Sequence, residues 1–156
     1  MDKLKRKHEN ISKALASFEK AVNILELSIQ EGKGYNPHMS YEEEYCEHRD
    51  SAFQRFEYST DLFWRYLKKY LEGILHLSVV NGPEPVIRAS CAAGIITEQE
   101  GEKILDMVRD RNMTSHMYME EIAEQLVAKM PEYFSVMHAV VQRLETKKIN
   151  VDEQNN

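Results

Sequence analysis

Cysteine is scarce: Cys46 and Cys91 are the only two in 156 residues, and no Cys-x-x-Cys pair exists. That excludes a disulfide framework and a thiolate zinc site, and leaves both thiols to be read as helix-packing groups. No apolar run approaches the roughly 20 residues needed to cross a bilayer. The opening Met1-Asp2-Lys3-Leu4-Lys5-Arg6-Lys7 leads into an amphipathic pattern rather than an apolar leader, so a cytoplasmic location without membrane contact is expected. An excess of basic charge is also missing. The net charge is −6, which works against broad affinity for a phosphate backbone and restricts any nucleic-acid contact to a local basic cleft. The chain has no Gly-rich phosphate loop, no His-Glu-x-x-His, no nucleophile elbow and no paired Glu-x-x-His set. No metal or other cofactor is therefore expected. A period-two strand pattern is absent throughout.

Helical periodicity is what the chain does carry. Leu4, His8, Ile11, Leu15, Phe18, Val22, Leu25 and Ile29 step by four and three, a repeat of 3.5 residues that predicts a long helix packed nearly antiparallel against neighbours. Here His8 reads as a packed imidazole. Glu31-Gly32-Lys33-Gly34-Tyr35-Asn36-Pro37 is turn chemistry, and a second helix is expected from about Tyr41 to Leu77 on a stripe of Tyr45, Arg49, Ala52, Phe56, Phe63, Leu67, Tyr70 and Ile74. Trp64 beside that stripe reads as core. Arg49 stands out, because an unpaired guanidinium on a buried line would cost several kcal/mol. Two readings stay open: Arg49 reaches solvent or pairs with Asp50 or Glu42, or it lines a functional cleft.

Asn81-Gly82-Pro83-Glu84-Pro85 breaks the chain, and a short helix from about Pro85 to Ala93 should stop at Gly94. Thr97-Glu98-Gln99-Glu100 is a capping box that opens the next helix, whose Ile104, Leu105 and Val108 deliver Arg111 to its C-terminal end. Beyond it Ile122, Leu126 and Met130 keep the helical period to Pro131, and Phe134, Met137, Val141 and Leu144 resume it, as one kinked helix or two. The expected architecture is all-α: an up-and-down antiparallel bundle of four to five main helices plus a short one, a single domain over residues 1–146. A disordered polar tail is expected over 147–156.

Chemistry concentrates in Asp110-Arg111-Asn112-Met113-Thr114-Ser115-His116-Met117-Tyr118. Arg111 and His116 are five apart, so an unbroken helix at roughly 100° per residue would splay them by about 140°. A helix ending near Asn112 and another beginning near Ser115, capped by Thr114 or Ser115, would turn both toward one point. A permanent cation and a near-neutral base sharing a phosphodiester is a route to RNA cleavage without metal. Asn112 could orient the phosphate, and the Tyr118 phenol could bind a base or accept a transferred group. The same spacing also fits a capping arginine and a turn histidine with no chemistry.

Three stretches together carry a family resemblance: Arg49-Asp50-Ser51-Ala52-Phe53-Gln54-Arg55-Phe56-Glu57-Tyr58 with Trp64 and Leu67-Lys68-Lys69-Tyr70-Leu71-Glu72; Val86-Ile87-Arg88-Ala89 through Ala93-Gly94-Ile95-Ile96; and Asp110 through Tyr118. The chain resembles the nucleotidyltransferase substrate-binding proteins, the branch of the HEPN superfamily paired with minimal nucleotidyltransferases. The resemblance implies a homodimeric helical bundle that partners such an enzyme in a toxin-antitoxin-type pair and binds nucleotide or RNA. In related toxins the Arg-x4-His element is the ribonuclease site, and the tyrosine two residues on receives AMP from the partner. Those roles would fall on Arg111 and His116 for catalysis and Tyr118 for modification; Asn112 and Arg49 are expected to bind substrate on the strength of their own chemistry and position.

Overall fold

The computed structural model describes residues 2–154. Five helices account for most of it: α1 (Asp2–Glu31), α2 (Tyr41–Gly73), α3 (Pro83–Ala92), α4 (Glu98–Asn112) and α5 (Glu120–Gln154), with a single 3-10 turn at Thr114–His116 between the last two. No strand occurs among the described residues. The all-α bundle expected from the periodicity is the observed fold.

Side-chain pairings give the direction of each helix. His8 meets Tyr66, Arg55 meets Ser17 and Tyr41 meets the Ser28 carbonyl, so α1 and α2 run antiparallel. Pairing of His8 with Glu145 and of Phe18 with Phe134 sets α5 antiparallel to α1. Arg143 on Glu100 and Tyr133 on Asp110 do the same for α4 and α5. Between them lies one apolar core in which Ile11, Phe18, Phe56, Phe63, Leu67, Ile87, Ile104, Met107, Met130 and Met137 are fully buried. Phe56 is its hinge point, tilted against Phe18 and stacked on Tyr133 at 5.7 Å. Trp64 is buried beside it, and His8 is held by Tyr66 and Glu145 rather than by packing alone.

Local signals read from the sequence recur as geometry. Thr97 and Glu100 exchange both bonds of the capping box, at 3.1 and 2.9 Å. Gly94 takes φ +74°, and Gly94 and Ile95 donate back to Cys91 and Ser90, the paired bonds of a Schellman stop. Other expectations need correction. Ile29 is exposed, because a straight helix drifts about 20° per heptad from a 3.5-residue stripe and leaves the contact line after several turns. The second helix stops at Gly73 rather than Leu77: Leu77 donates to the Leu71 carbonyl through a turn that places His76 at φ +54°. The short helix begins at Pro83, two residues early. Pro131 sits inside a single α5, so the two-helix alternative falls away. The polar stretch from Lys147, expected to be disordered, continues α5 to Gln154; it holds no glycine or proline, and each added residue gains a helical bond at little cost. Asn155 and Asn156, the rest of that expected tail, lie outside the described residues.

Candidate functional site

The chain leaves α4 through overlapping turns. Met113 donates to the Arg109 and Asp110 carbonyls, His116 to Met113, Met117 to Thr114 and Met119 to His116, after which α5 begins. The break expected between Arg111 and His116 is therefore present, but a second helix does not start near Ser115. Thr114 turns its hydroxyl backwards and donates to the Arg111 carbonyl at 2.9 Å, closing α4 instead of capping a new helix. Asn112, Ser115, His116 and Tyr118 are exposed, and the Tyr118 phenol reaches 79% exposure. His116 and Tyr118 lie with ring centroids 6.2 Å apart.

Arg111 sits at the base of this loop, half-buried, and does not reach out of it. Its Nε and Nη2 donate to the two carboxylate oxygens of Asp61 at 3.2 and 3.1 Å, and Glu57 stands 3.7 Å from Nη1. Its remaining bond goes to Thr114 Oγ1. The Asp61 hydrogen bond is the main reason its affinity for a proton rises above the ordinary arginine value, so it is charged at any physiological pH. This two-point fork is the geometry with which arginine binds a phosphate, here filled by a carboxylate of the same chain. No hydrogen bond joins Arg111 to His116 among the described residues.

Arg49 is buried, at 6% exposure, but neither Asp50 nor Glu42 is its partner. It donates to Glu120 and Glu124 in the first turns of α5, with the Glu124 contact at 2.8 Å, and its guanidinium lies 5.7 and 5.9 Å from the Tyr45 and Phe53 ring centres. Burial pushes its pKa down, and the carboxylate hydrogen bonds overcome that to leave it raised. Arg49 thus ties the start of α5 to α2. The carboxylates that hold Arg111 come 8 and 12 residues later on α2, about 12–18 Å along the helix axis. Arg49 and Arg111 are thus each held by a separate pair of carboxylates, Arg49 by residues just after the loop and Arg111 at its base.

The loop is braced from below. Asp110 accepts from the buried Tyr133 hydroxyl and, at 3.2 Å, from Lys129, locking the last turn of α4 to α5. Burial and the Asp110 carboxylate both push the Tyr133 phenol upward, so it remains a protonated donor. Sequence reading missed these supports. A signal was available for the arginine partners: Glu57-x3-Asp61 and Glu120-x3-Glu124 each set two carboxylates on one helix face, and each pair receives an arginine. Among the described residues no three His, Cys, Asp or Glu side chains are grouped to hold a metal, and no helix is long and apolar enough to cross a membrane.

The family model for nucleotidyltransferase substrate binding protein like chains matches residues 6–146. The chain belongs to that family. A Thermus thermophilus protein of known crystal structure is 30% identical, with a TM-score of 0.69 over 86% of this chain and 98% of that one. A crystal structure of a toxin-antitoxin with AMP-PNP shares the fold at a TM-score of 0.60 and 11% identity, over 86% of this chain and 96% of that one. No curated protein matches.

Proposed function

We propose that this chain is the partner subunit of a minimal nucleotidyltransferase in a toxin-antitoxin-type pair, and that it presents the Arg111–Tyr118 loop to that enzyme as a homodimer. The observation that carries the reading is the contrast within the loop. Arg111 is anchored by Asp61, while the His116 imidazole and the Tyr118 phenol stand side by side in solvent. An exposed phenol on a braced turn suits a group that another enzyme must engage. Attack of its oxygen on the α-phosphorus of ATP would form a phosphodiester to AMP, release pyrophosphate and shed the phenolic proton. Asn112, exposed on the same turn, would contact the phosphate, and Arg49 would act indirectly by holding the start of α5.

A second reading is a metal-independent endoribonuclease that uses Arg111 and His116. It draws on a permanently charged Arg111 and on an imidazole that makes no side-chain hydrogen bond among the described residues. The fork filled by Asp61 weighs against it, since a phosphodiester would first have to displace that carboxylate. The test is to coexpress and copurify the chain with a minimal nucleotidyltransferase from the same source, add ATP and locate any added AMP by mass spectrometry. A gain on the Tyr118 peptide that Tyr118→Phe abolishes supports the partner reading. Absence of both complex and modification overturns it. RNA cleaved in EDTA by the wild type, but not by Arg111→Ala or His116→Ala, would install the ribonuclease instead.

A further inference from the structure

Most arginines that the bundle engages are neutralised by its own carboxylates. Arg49 has Glu120 and Glu124, Arg109 has Asp106, Arg111 has Asp61 and Glu57, and Arg143 has Glu100. Arg55 is different. It is half-buried between α1 and α2, and its hydrogen bonds go only to neutral oxygens: Nε to Ser17 Oγ at 2.9 Å, and Nη1 to the Ser51 hydroxyl and carbonyl at 2.6 and 3.1 Å. These bonds fix the guanidinium plane and leave its charge uncompensated. Nη2, with two N–H groups, makes no bond among the described residues.

Periodicity brings a second cation to the same place. Asn10, Lys13, Ala14 and Ser17 fall at i, i+3, i+4 and i+7, one face of α1, and with Arg55 and Tyr58 of α2 they line a cavity of about 220 Å³. Lys13 forms no ion pair among the described residues. Ala14 is the small floor, over which Ser59 closes the helices by donating to the Ala14 carbonyl. Tyr58 is 61% exposed at the rim, an aromatic face beside two positive charges. Glu57 and Asp61 lie roughly 160° and 120° around α2 from Arg55, turned to Arg111 on another face of the helix. The cavity is thus separate from the loop that ends α4.

A mouth with two cations, an amide and a hydroxyl in a protein of net charge −6 concentrates anions locally. The free Nη2 edge and the Lys13 ammonium can grip one tetrahedral oxyanion between them, and the neutral hydroxyl and amide add donors without competing charge. Bases stack on exposed aromatic faces of this kind regardless of sequence. We propose that the Lys13–Arg55 cavity binds the phosphate of a mononucleotide, with its base against Tyr58. The site does not depend on the reading given to the Arg111–Tyr118 loop. It places nucleotide contact where positive charge is free, on a face apart from the Arg111–Tyr118 loop.

Calorimetric titration of the full chain with AMP, adenosine and inorganic phosphate tests this. AMP should bind, inorganic phosphate more weakly, and adenosine not measurably. Arg55→Gln and the exposed Lys13→Gln should each weaken AMP by about tenfold, the loss of one charged hydrogen bond. Tyr58→Ala should weaken AMP by a similar factor while sparing phosphate. A melt of each variant separates lost binding from lost folding, and Lys13→Gln keeps the test open if Arg55→Gln does not fold. Arg111→Ala and His116→Ala should leave AMP binding intact. No AMP binding at millimolar concentration, or binding lost in Arg111→Ala and kept in Lys13→Gln, overturns the assignment. A failure here leaves Tyr118 modification untouched, and the reverse holds too.

Discussion

Asp61→Asn isolates what the carboxylate does to Arg111. The amide keeps the size of the side chain and one acceptor oxygen, and removes the charge that fills the fork at 3.1 and 3.2 Å. The side chains are 28% and 37% exposed, so this is neither a solvated surface pair nor a buried one. Exposed ion pairs contribute about 0.2–1 kcal/mol, and fully desolvated charged hydrogen bonds about 1.5–3. Solvent screening at this exposure argues for the boundary, about 1 kcal/mol. In a domain of this size that lowers the melting temperature by about 2–4 °C. The same substitution frees the fork. If Asp61 is a displaceable occupant, phosphate should bind at Arg111 about fivefold more tightly in the variant, the factor equivalent to about 1 kcal/mol. The Arg111 Nε–H resonance, followed in a 15N-edited spectrum during a phosphate titration, reads that site alone. A stability loss beyond about 3 kcal/mol, or an Nε–H response identical in both proteins, would refute the idea that Asp61 is a removable cap.

Phe56→Ala removes a fully buried ring shared by α1, α2 and α5 and should lower the unfolding free energy by about 3–5 kcal/mol in urea titrations. Thr97→Ala deletes the hydroxyl that accepts from Glu100 and should cost about 1 kcal/mol by the same measurement, with α4 otherwise unchanged. Glu100 is held below its ordinary value of 4.5, first by its hydrogen bond from Arg143. A depressed carboxylate contributes stability that is present above the unfolded value and is lost as pH falls through the lower folded one. Unfolding measured below about pH 4.5 should therefore show a shallower acid loss in Arg143→Gln, which is already destabilised at neutral pH.

Helix positions, the capping box, the Gly94 stop and the break after Asn112 were legible in the chain because each rests on residues within one or two turns of one another. Errors clustered where ends are decided by partners. Leu75–Leu77 left the helix through a turn at His76, and the stretch after Lys147 continued α5 for want of any breaker. The site was legible only in outline: the loop is where the motif puts it, but the state of its arginine is not a local property.

Sequence by itself determined an all-α bundle with a polar loop between its last two helices, because periodicity and capping act between near neighbours. Only tertiary structure decided which cations are free. Arg49 meets carboxylates 71 and 75 residues away and Arg111 one 50 residues away, whereas Arg55 meets a serine 38 residues away. For these three arginines compensation is set by packing across helices: an i,i+4 carboxylate pair marks where a cation can be received, but which arginine arrives there is decided by the fold.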